Sequence, residues 1–286
     1  MFVGVHGEYF ERPDRQFFGF GPHSSGPPTR FGFTRGEAFA FAGIEPDNHL
    51  RLELGQGFRA DWVGPTDHDD DHEHEPPDED GFGPDEIPGY GQIRLAVVTL
   101  DLKLDSRLDA EAENNGVRLV GNLTYARDVS EPRRVFLTGE LDAEGAVEVS
   151  KPDRVLAARL YAADTQPLGS EPVPFSHLPT LGWDKHRGYS WGRFRGESAL
   201  MAQLQYRYPI AYYVDAQWTA SVGNVFSEHF RDLQPSALTA CFGFGLRTRR
   251  TGMRPLELTF AFGTTPFDRP FDVSNVRVFL GTVEGL

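Results

Sequence analysis

Residues 186–189 form the group in this chain whose residue types are best suited to a structural or binding role. Arg187 lies between His186 and the pair Gly188 and Tyr189, in a glycine- and tryptophan-rich stretch ahead of a long alternating segment. An arginine carries five donors in fixed directions, so a buried one needs a matching array of acceptors. Arg187 is therefore either buried against such an array or, as the plainer alternative, a solvated loop arginine.

Ser227 and His229 are a second candidate pair, because they are two residues apart just beyond a predicted strand end. An extended backbone would project both side chains the same way, as a nucleophile and its base require. The sequence offers no third residue to orient the histidine. We therefore predict that the chain is not an enzyme, and a barrel phospholipase remains the less favoured alternative.

Residues 67–80 hold nine acidic residues together with three histidines, His68, His72 and His74. Imidazole and carboxylate groups can bind divalent cations, but this spacing matches no defined metal site. A run of like charges repels itself and stays solvated. We predict a disordered external loop over 66–88, with no metal and no cofactor.

Composition narrows the possible partners of the 286-residue chain. Its net charge of −14 argues against binding nucleic acid, which requires a basic face. Cys241 is the single cysteine, so an intrachain disulfide is impossible. No apolar run approaches the roughly 20 residues of a membrane helix. Membrane-spanning strands are not excluded by that test, because only alternate residues face lipid, and 23 phenylalanines would suit their aromatic girdles.

Alternation with a period of two dominates the chain, and helical periodicity is almost absent. Residues 51–62 show the pattern most clearly, with apolar side chains on one face and charges on the other. The apolar set is Leu52, Leu54, Phe58, Ala60 and Trp62, and the charged set is Arg51, Glu53, Arg59 and Asp61. Charges at every other position suit a wet lumen better than the open face of a soluble sheet.

Twelve segments are predicted as strands: 2–11, 31–44, 50–63, 91–106, 115–128, 134–147, 154–166, 193–210, 212–226, 236–249, 255–266 and 273–283. Many exceed ordinary strand length and reach the 9–11 residues or so that span a bilayer. Short and long links mostly alternate, as in outer-membrane barrels. We predict one domain over 1–286, an antiparallel transmembrane β-barrel of about 12 strands. A soluble β-sandwich or up-and-down barrel is the alternative.

Several motifs follow each other in an order that resembles one known family. Residues 186–189 (HRGY) are similar to its Val-Arg-Gly-Phe/Tyr loop motif, and 205–209 (QYRYP) to its Glu-Tyr-Arg-Phe-Pro strand. Further matches lie at 15–21 (RQFFGFG), 153–160 (DRVLAARL), 193–196 (RFRG), 223–226 (GNVF), 242–247 (FGFGLR) and 255–261 (PLELTFA). The chain thus resembles the bacterial surface antigen or BamA-type outer-membrane assembly barrels, over about twelve of their sixteen strands and without their POTRA domains.

The resemblance implies that a loop at 168–192 enters the lumen and sets Arg187, Gly188 and Tyr189 against the inner wall. The acceptors in the family are acidic residues on the two following strands, but this chain has Gln205 and Ser221 there. The hypothesis is that Arg187 still anchors the loop through neutral hydrogen bonds to these two residues.

Other wall residues near the loop motif are Arg207 and three acidic alternatives for pairing with Arg187, namely Glu197, Asp215 and Glu257. An unpaired charged arginine in a dry site would be costly, so either the lumen is wet or Arg187 finds a partner such as one of these carboxylates.

The implied role is insertion or translocation of proteins at the bacterial outer membrane. The implied partners are the lipid bilayer and client or accessory proteins. A passive pore is the main alternative, although a loop that fills the lumen would hinder it. The start MFVGVHGEYF has no signal-peptide character, which suggests the C-terminal part of a longer chain or a misassigned start. Either the twelve strands close into a barrel, or the first and last leave open edges.

Overall fold

A long antiparallel sheet dominates the structure, a computed structural model that describes residues 1–24, 28–65, 86–107, 115–150, 153–249 and 256–282. The strands are β1 (Phe2–Phe17), β2 (Thr29–Asp47), β3 (Leu50–Gly64), β4 (Gly91–Asp105), β5 (Gly116–Asp128), β6 (Val135–Ser150), β7 (Arg154–Pro167), β8 (Thr180–Leu181), β9 (Phe194–Arg195), β10 (Ser198–Ala211), β11 (Val214–Phe226), β12 (Thr239–Thr248), β13 (Leu256–Thr264) and β14 (Val273–Thr282). Twelve of them form the sheet, and β8 pairs only with β9. The predicted all-β class and strand number are confirmed.

Sequential neighbours pair throughout the sheet, in the order β1 to β7 and then β10 to β14. Within the residues that the structure describes, β1 pairs only with β2 and β14 only with β13, so the sheet is open at both edges. Of the two alternatives that the sequence left open, closure or open first and last edges, this structure shows the open edges. No helix in the described part of the chain is long and apolar enough to cross a membrane.

The two largest differences between predicted and observed strand boundaries have identifiable reasons. β1 continues to Phe17, past a register shift between Arg12 and Arg15 that interrupts the alternation. The segment predicted to start a strand at 193 is divided, because residues 194–195 pair with β8 and the sheet resumes only at Ser198. Most of the predicted acidic loop, residues 66–85, lies outside the described residues.

The outward face of the sheet is apolar and exposed along every strand. It carries Leu54, Phe58, Leu100, Leu123, Leu160, Leu204, Trp218, Phe244 and Leu280, among others. A soluble monomer rarely exposes contiguous apolar surface on this scale, whereas a lipid-facing barrel wall requires it.

The inward face is polar, and ion pairs link neighbouring strands across it. Arg35 donates two hydrogen bonds to Asp61, each of 2.7 Å, and Arg159 donates two to Asp142, of 2.9 and 2.6 Å. The alternation predicted for residues 51–62 is thus oriented with its charges inward.

The buried core lies between this inner face and the segment that connects β7 to β10. One cluster contains Leu181, Tyr189 and Phe194 of that segment with Tyr161 and Met201 of the wall. A second cluster packs Phe175 against aromatic residues of β1 and β2. The connecting segment therefore supplies much of the apolar material that the wall encloses.

An arginine on the lipid-facing side of β4 should be poorly tolerated. Leu100→Arg should destabilise the folded protein in a bilayer by about 2–4 kcal/mol, because the charge would lie near the bilayer midplane. The adjacent Thr99→Arg is the matched control, since Thr99 lies on the inner face opposite Gly55. Equilibrium unfolding in lipid measures both, and equal losses would contradict the assigned faces.

Candidate functional site

The segment 168–197 folds across the inner face of the sheet, as predicted for the lumen-entering loop 168–192; we call it the inner loop. It makes one short 3-10 turn at Phe175–His177 and then doubles back, because Thr180 pairs with Arg195 and Leu181 with Phe194. The turn at its far end carries residues 186–189. This hairpin shape lets both halves of the inner loop reach opposite parts of the wall.

Arg187, Gly188 and Tyr189 each contact the wall at β12 or β13. Arg187 Nη1 donates to Glu257 Oε1, and both side chains are buried. The backbone N–H of Gly188 donates to Cys241 Sγ at 2.9 Å. Tyr189 donates its hydroxyl to the carbonyl oxygens of Thr264 and Ala240. Three successive residues thus fix one register of the inner loop against two strands.

Glycine is required at Gly188 and at Gly263, where the inner loop lies flat on β13. A Cβ on Gly188 would come within 2.6 Å of the Gly263 backbone nitrogen. A Cβ on Gly263 would come within 2.6 Å of the Tyr189 ring. Real Cβ atoms do not approach so closely, so two bare backbones are needed for this contact.

His186 is a site residue that the sequence interpretation did not select. Its Nδ1 lies 2.9 Å from Ser221 Oγ and its Nε2 lies 3.1 Å from Thr239 Oγ1, while its ring stacks on Tyr189 at 4.8 Å. Burial lowers the pKa of His186 to about 3, so the ring is neutral at physiological pH. The Ser221 hydroxyl therefore hydrogen bonds to His186. His186 stands where the similar family has valine.

A chain of side-chain hydrogen bonds leads across the wall to the acceptor of Arg187. Gln205 Nε2 donates to Gln217 Oε1 at 2.8 Å, and Gln217 Nε2 donates to Thr259 Oγ1 at 2.9 Å. Thr259 in turn donates to Glu257 Oε1 at 2.5 Å. This series of hydrogen bonds crosses β12 at Gly245, which is in register with both Gln217 and Thr259. Any side chain at position 245 would separate the side chains of Gln217 and Thr259.

The hypothesis that Arg187 bonds directly to Gln205 and Ser221 is wrong in this structure. Gln205 bonds to Gln217, and Ser221 bonds to His186. The reason is that the inner loop contacts the wall at β13, where Gly188 packs on the backbone. This contact places the Arg187 guanidinium beside Glu257 and away from β10.

The other predicted wall residues have partners of their own. Arg207 Nε lies 3.8 Å from Asp215 Oδ2, and Asp215 also accepts a 2.8 Å hydrogen bond from Arg249. Glu197 Oε2 lies 2.9 Å from His229 Nε2. Of the three carboxylates considered for Arg187, Glu257 is the one that the structure brings to it.

The other half of the inner loop docks on β2 and β3. His177 Nε2 lies 2.8 Å from Asp61 Oδ2, the same carboxylate that Arg35 binds. Burial outweighs this carboxylate and lowers the pKa of His177 to about 4. Phe175 packs edge-on against Phe31 with ring centroids 5.1 Å apart.

The inner loop also contacts the sheet at both of its free edges. On β14, the Phe279 ring centroid lies 5.8 Å from that of Trp183 and 5.4 Å from Arg187 Cζ. On β1, Arg15 Cζ lies 3.9 Å from the centroid of Trp191. One segment of chain thus bridges the two edges from inside.

Ser227 and His229 do not form a catalytic pair here. Both ring nitrogens of His229 face carboxylates, Nδ1 at 3.1 Å from Asp164 and Nε2 at 2.9 Å from Glu197. The ring therefore has no free nitrogen to take a proton from Ser227, which general-base catalysis requires.

Two solved structures are similar to this fold. BamA from Haemophilus ducreyi lacking POTRA domains 1–3 superposes with a TM-score of 0.64 at 13% identity, over 96% of this chain and 58% of that chain. CdiB from Acinetobacter baumannii superposes with a TM-score of 0.57 at 12% identity, over 97% of this chain and 46% of that chain. The chain therefore has the fold of a BamA-type transmembrane β-barrel, and it spans about half the length of the structures it matches. No protein-family model matches the chain. No curated protein sequence matches it either.

Removal of the Arg187 guanidinium should undock the inner loop. Arg187→Ala leaves the Glu257 carboxylate buried and unpaired, which typically costs on the order of 3–5 kcal/mol. Chymotrypsin should then cleave the inner loop in the lipid-embedded protein, and Glu257→Gln added to Arg187→Ala should restore part of the protection. Arg133→Ala is the control, because Arg133 pairs with Glu131 at the surface and its side chain is 68% exposed. Equal protection in both single variants would contradict the anchoring role.

A methyl group on Gly245 should break the hydrogen-bond chain to Glu257. The added Cβ would lie 2.6 Å from Thr259 Oγ1 and would press on the Leu258 carbonyl oxygen. Gly245→Ala should cost about 1–3 kcal/mol in equilibrium unfolding, as overpacking does. Gly121→Ala is the matched control, because its nearest atom would be Leu102 Cβ at 3.9 Å. Similar losses of unfolding free energy for the two variants would show that the Gln217–Thr259 hydrogen bond across β12 is unimportant for stability.

Proposed function

We propose that the chain is a non-enzymatic outer-membrane protein that inserts or translocates other proteins. The open sheet is the observation that carries this proposal. In the described part of the chain, no strand pairs with the outer edge of β1 or of β14. Unpaired backbone groups cost several kcal/mol each in hydrocarbon, so a free edge there favours pairing with another strand. A client strand is the partner that this edge fits by β-augmentation.

The bacterial outer membrane is the proposed location, and its lipid bilayer is the proposed first partner. The exposed apolar outer face and the likeness to BamA and CdiB support this location. The net charge of −14 supports the absence of nucleic acid among the partners.

A passive pore is less well supported by the same structure. The inner loop packs against the wall from β1 to β14, and its side chains Phe175, Leu181, Tyr189 and Phe194 are all buried. A diffusion channel needs an open polar lumen. A segment anchored across the lumen fits a gated or laterally opening barrel better.

Assisted insertion into liposomes tests the proposal directly. A urea-denatured outer-membrane barrel protein is added to liposomes that contain the full chain, and its folding is followed by gel mobility. We expect faster folding than in empty liposomes. Cysteines at Val5 of β1 and Val278 of β14, in a Cys241→Ser background, should abolish the acceleration when joined by a thiol crosslinker and restore it after release.

The control is a crosslinked pair on strands that already adjoin, Phe58→Cys and Ala96→Cys, which are opposite each other in β3 and β4. This crosslink should leave the acceleration unchanged. Ion conductance without any acceleration would favour the passive pore. Acceleration that survives the Val5–Val278 crosslink would show that the free edges are not the insertion site.

A further inference from the structure

Three side chains with metal-binding groups converge on the inner face of the edge strand β1. Glu8 lies opposite Glu37 of β2 in the register, and His6 lies two residues earlier on the same face of β1. His6 Nε2 is 3.6 Å from Glu8 Oε2 and 3.9 Å from Glu37 Oε1. The three ligand atoms lie within 4.8 Å of one another.

This group differs from the one around His229 because both of its carboxylates face the same ring nitrogen of the histidine. His229 also has two carboxylates beside it, but they face different ring nitrogens, Nδ1 and Nε2. One cation cannot contact both sides of an imidazole ring, so that arrangement does not form a site for one ion. At His6 both carboxylates face Nε2, so one ion can contact all three groups.

We propose that His6, Glu8 and Glu37 bind one divalent transition-metal cation of the zinc type. Zinc lies about 2.0–2.2 Å from histidine nitrogens and carboxylate oxygens, so two atoms on one ion are at most about 4.2 Å apart. Both measured nitrogen–oxygen distances meet that limit. The two carboxylate oxygens lie within 4.8 Å of each other, and a small movement of the exposed Glu8 side chain brings them within the limit too. The imidazole favours zinc, nickel or copper over calcium and magnesium, which prefer oxygen ligands.

Arg59 prepares Glu37 for this role. Its Nε donates to Glu37 Oε2 at 2.8 Å, which turns Oε1 towards His6. Hydrogen bonds of this kind orient ligating carboxylates in metal sites. Glu37 is 14% exposed, whereas His6 and Glu8 are 53% and 51% exposed. One ligand is therefore held in place, and two ligands are free to close on an ion.

The location gives the ion a structural consequence. Carboxylates directly opposite each other on neighbouring strands repel, and a cation between Glu8 and Glu37 would replace that repulsion with attraction. Because β1 is a free edge of the sheet, the ion would tie this edge to β2. Bound zinc should therefore slow amide hydrogen exchange along β1 and leave β14 unchanged.

Calorimetry on the full chain in detergent tests the site with zinc, calcium and magnesium chloride. The background carries His68→Gln, His72→Gln and His74→Gln, which removes imidazoles outside the described residues. We expect one zinc site per chain and weaker or undetectable calcium and magnesium binding. His6→Ala and Glu8→Gln should each weaken zinc binding at least about tenfold, the lower end of what a lost supporting contact costs. His229→Ala should leave zinc binding unchanged.

Three results would overturn the proposal. The first is a zinc affinity that is the same in His6→Ala and in the background protein. The second is calcium binding as tight as zinc binding. The third is a loss of zinc affinity in His229→Ala equal to the loss in His6→Ala. Unchanged hydrogen exchange along β1 at saturating zinc would overturn the proposed tie between the edge strand and β2.

Discussion

An apolar exterior is the constraint on which the rest of this structure depends. A wall that presents its apolar residues outward cannot bury them against itself, so the chain must fill its interior by other means. The inner loop does so, because its Phe175, Leu181 and Tyr189 pack against apolar side chains on the inside of the wall. Its position is fixed by the buried pair of Arg187 and Glu257, whose separation would leave a charge unpaired in a dry site.

The departures from the similar family are consistent with one another in this structure. Histidine at 186 and serine at 221 replace a valine and an aspartate of the family pattern, and the two hydrogen bond to each other at 2.9 Å. Gln205 replaces a glutamate and joins the neutral chain that ends on Glu257. The negative charge that Arg187 requires is thus supplied from β13. The replacements thus change their hydrogen-bond partners together, although Gln205 Oε1 and Glu257 Oε2 are buried without a hydrogen-bond partner in the described part of the chain.

Much of the fold could be predicted from alternation alone, because a wall with one wet and one lipid face repeats every two residues. The twelve sheet strands followed from it, whereas the inner loop was an expectation from the family resemblance of the motif at 186–189. The end of β1 was predicted too early, because the register shift after Arg12 breaks the alternation of apolar and polar residues. Glu257 was one of three carboxylates considered for Arg187, but the sequence could not choose among them. The choice depends on where Gly188 contacts β13, a contact between residues far apart in sequence. The need for glycine at position 245 likewise becomes evident only when the residues opposite it on β11 and β13 are known.

The central claim is that the inner loop lies inside the sheet and bridges its two free edges. Short-span thiol crosslinking in lipid tests it, with one cysteine pair at Trp183 and Phe279 and another at Arg15 and Trp191, each in a Cys241→Ser background. The ring centroids of Trp183 and Phe279 are 5.8 Å apart, and Arg15 Cζ is 3.9 Å from the Trp191 centroid. Both pairs should crosslink in the folded protein. Failure of both pairs, in protein that has folded and inserted, would place the inner loop elsewhere and contradict the account.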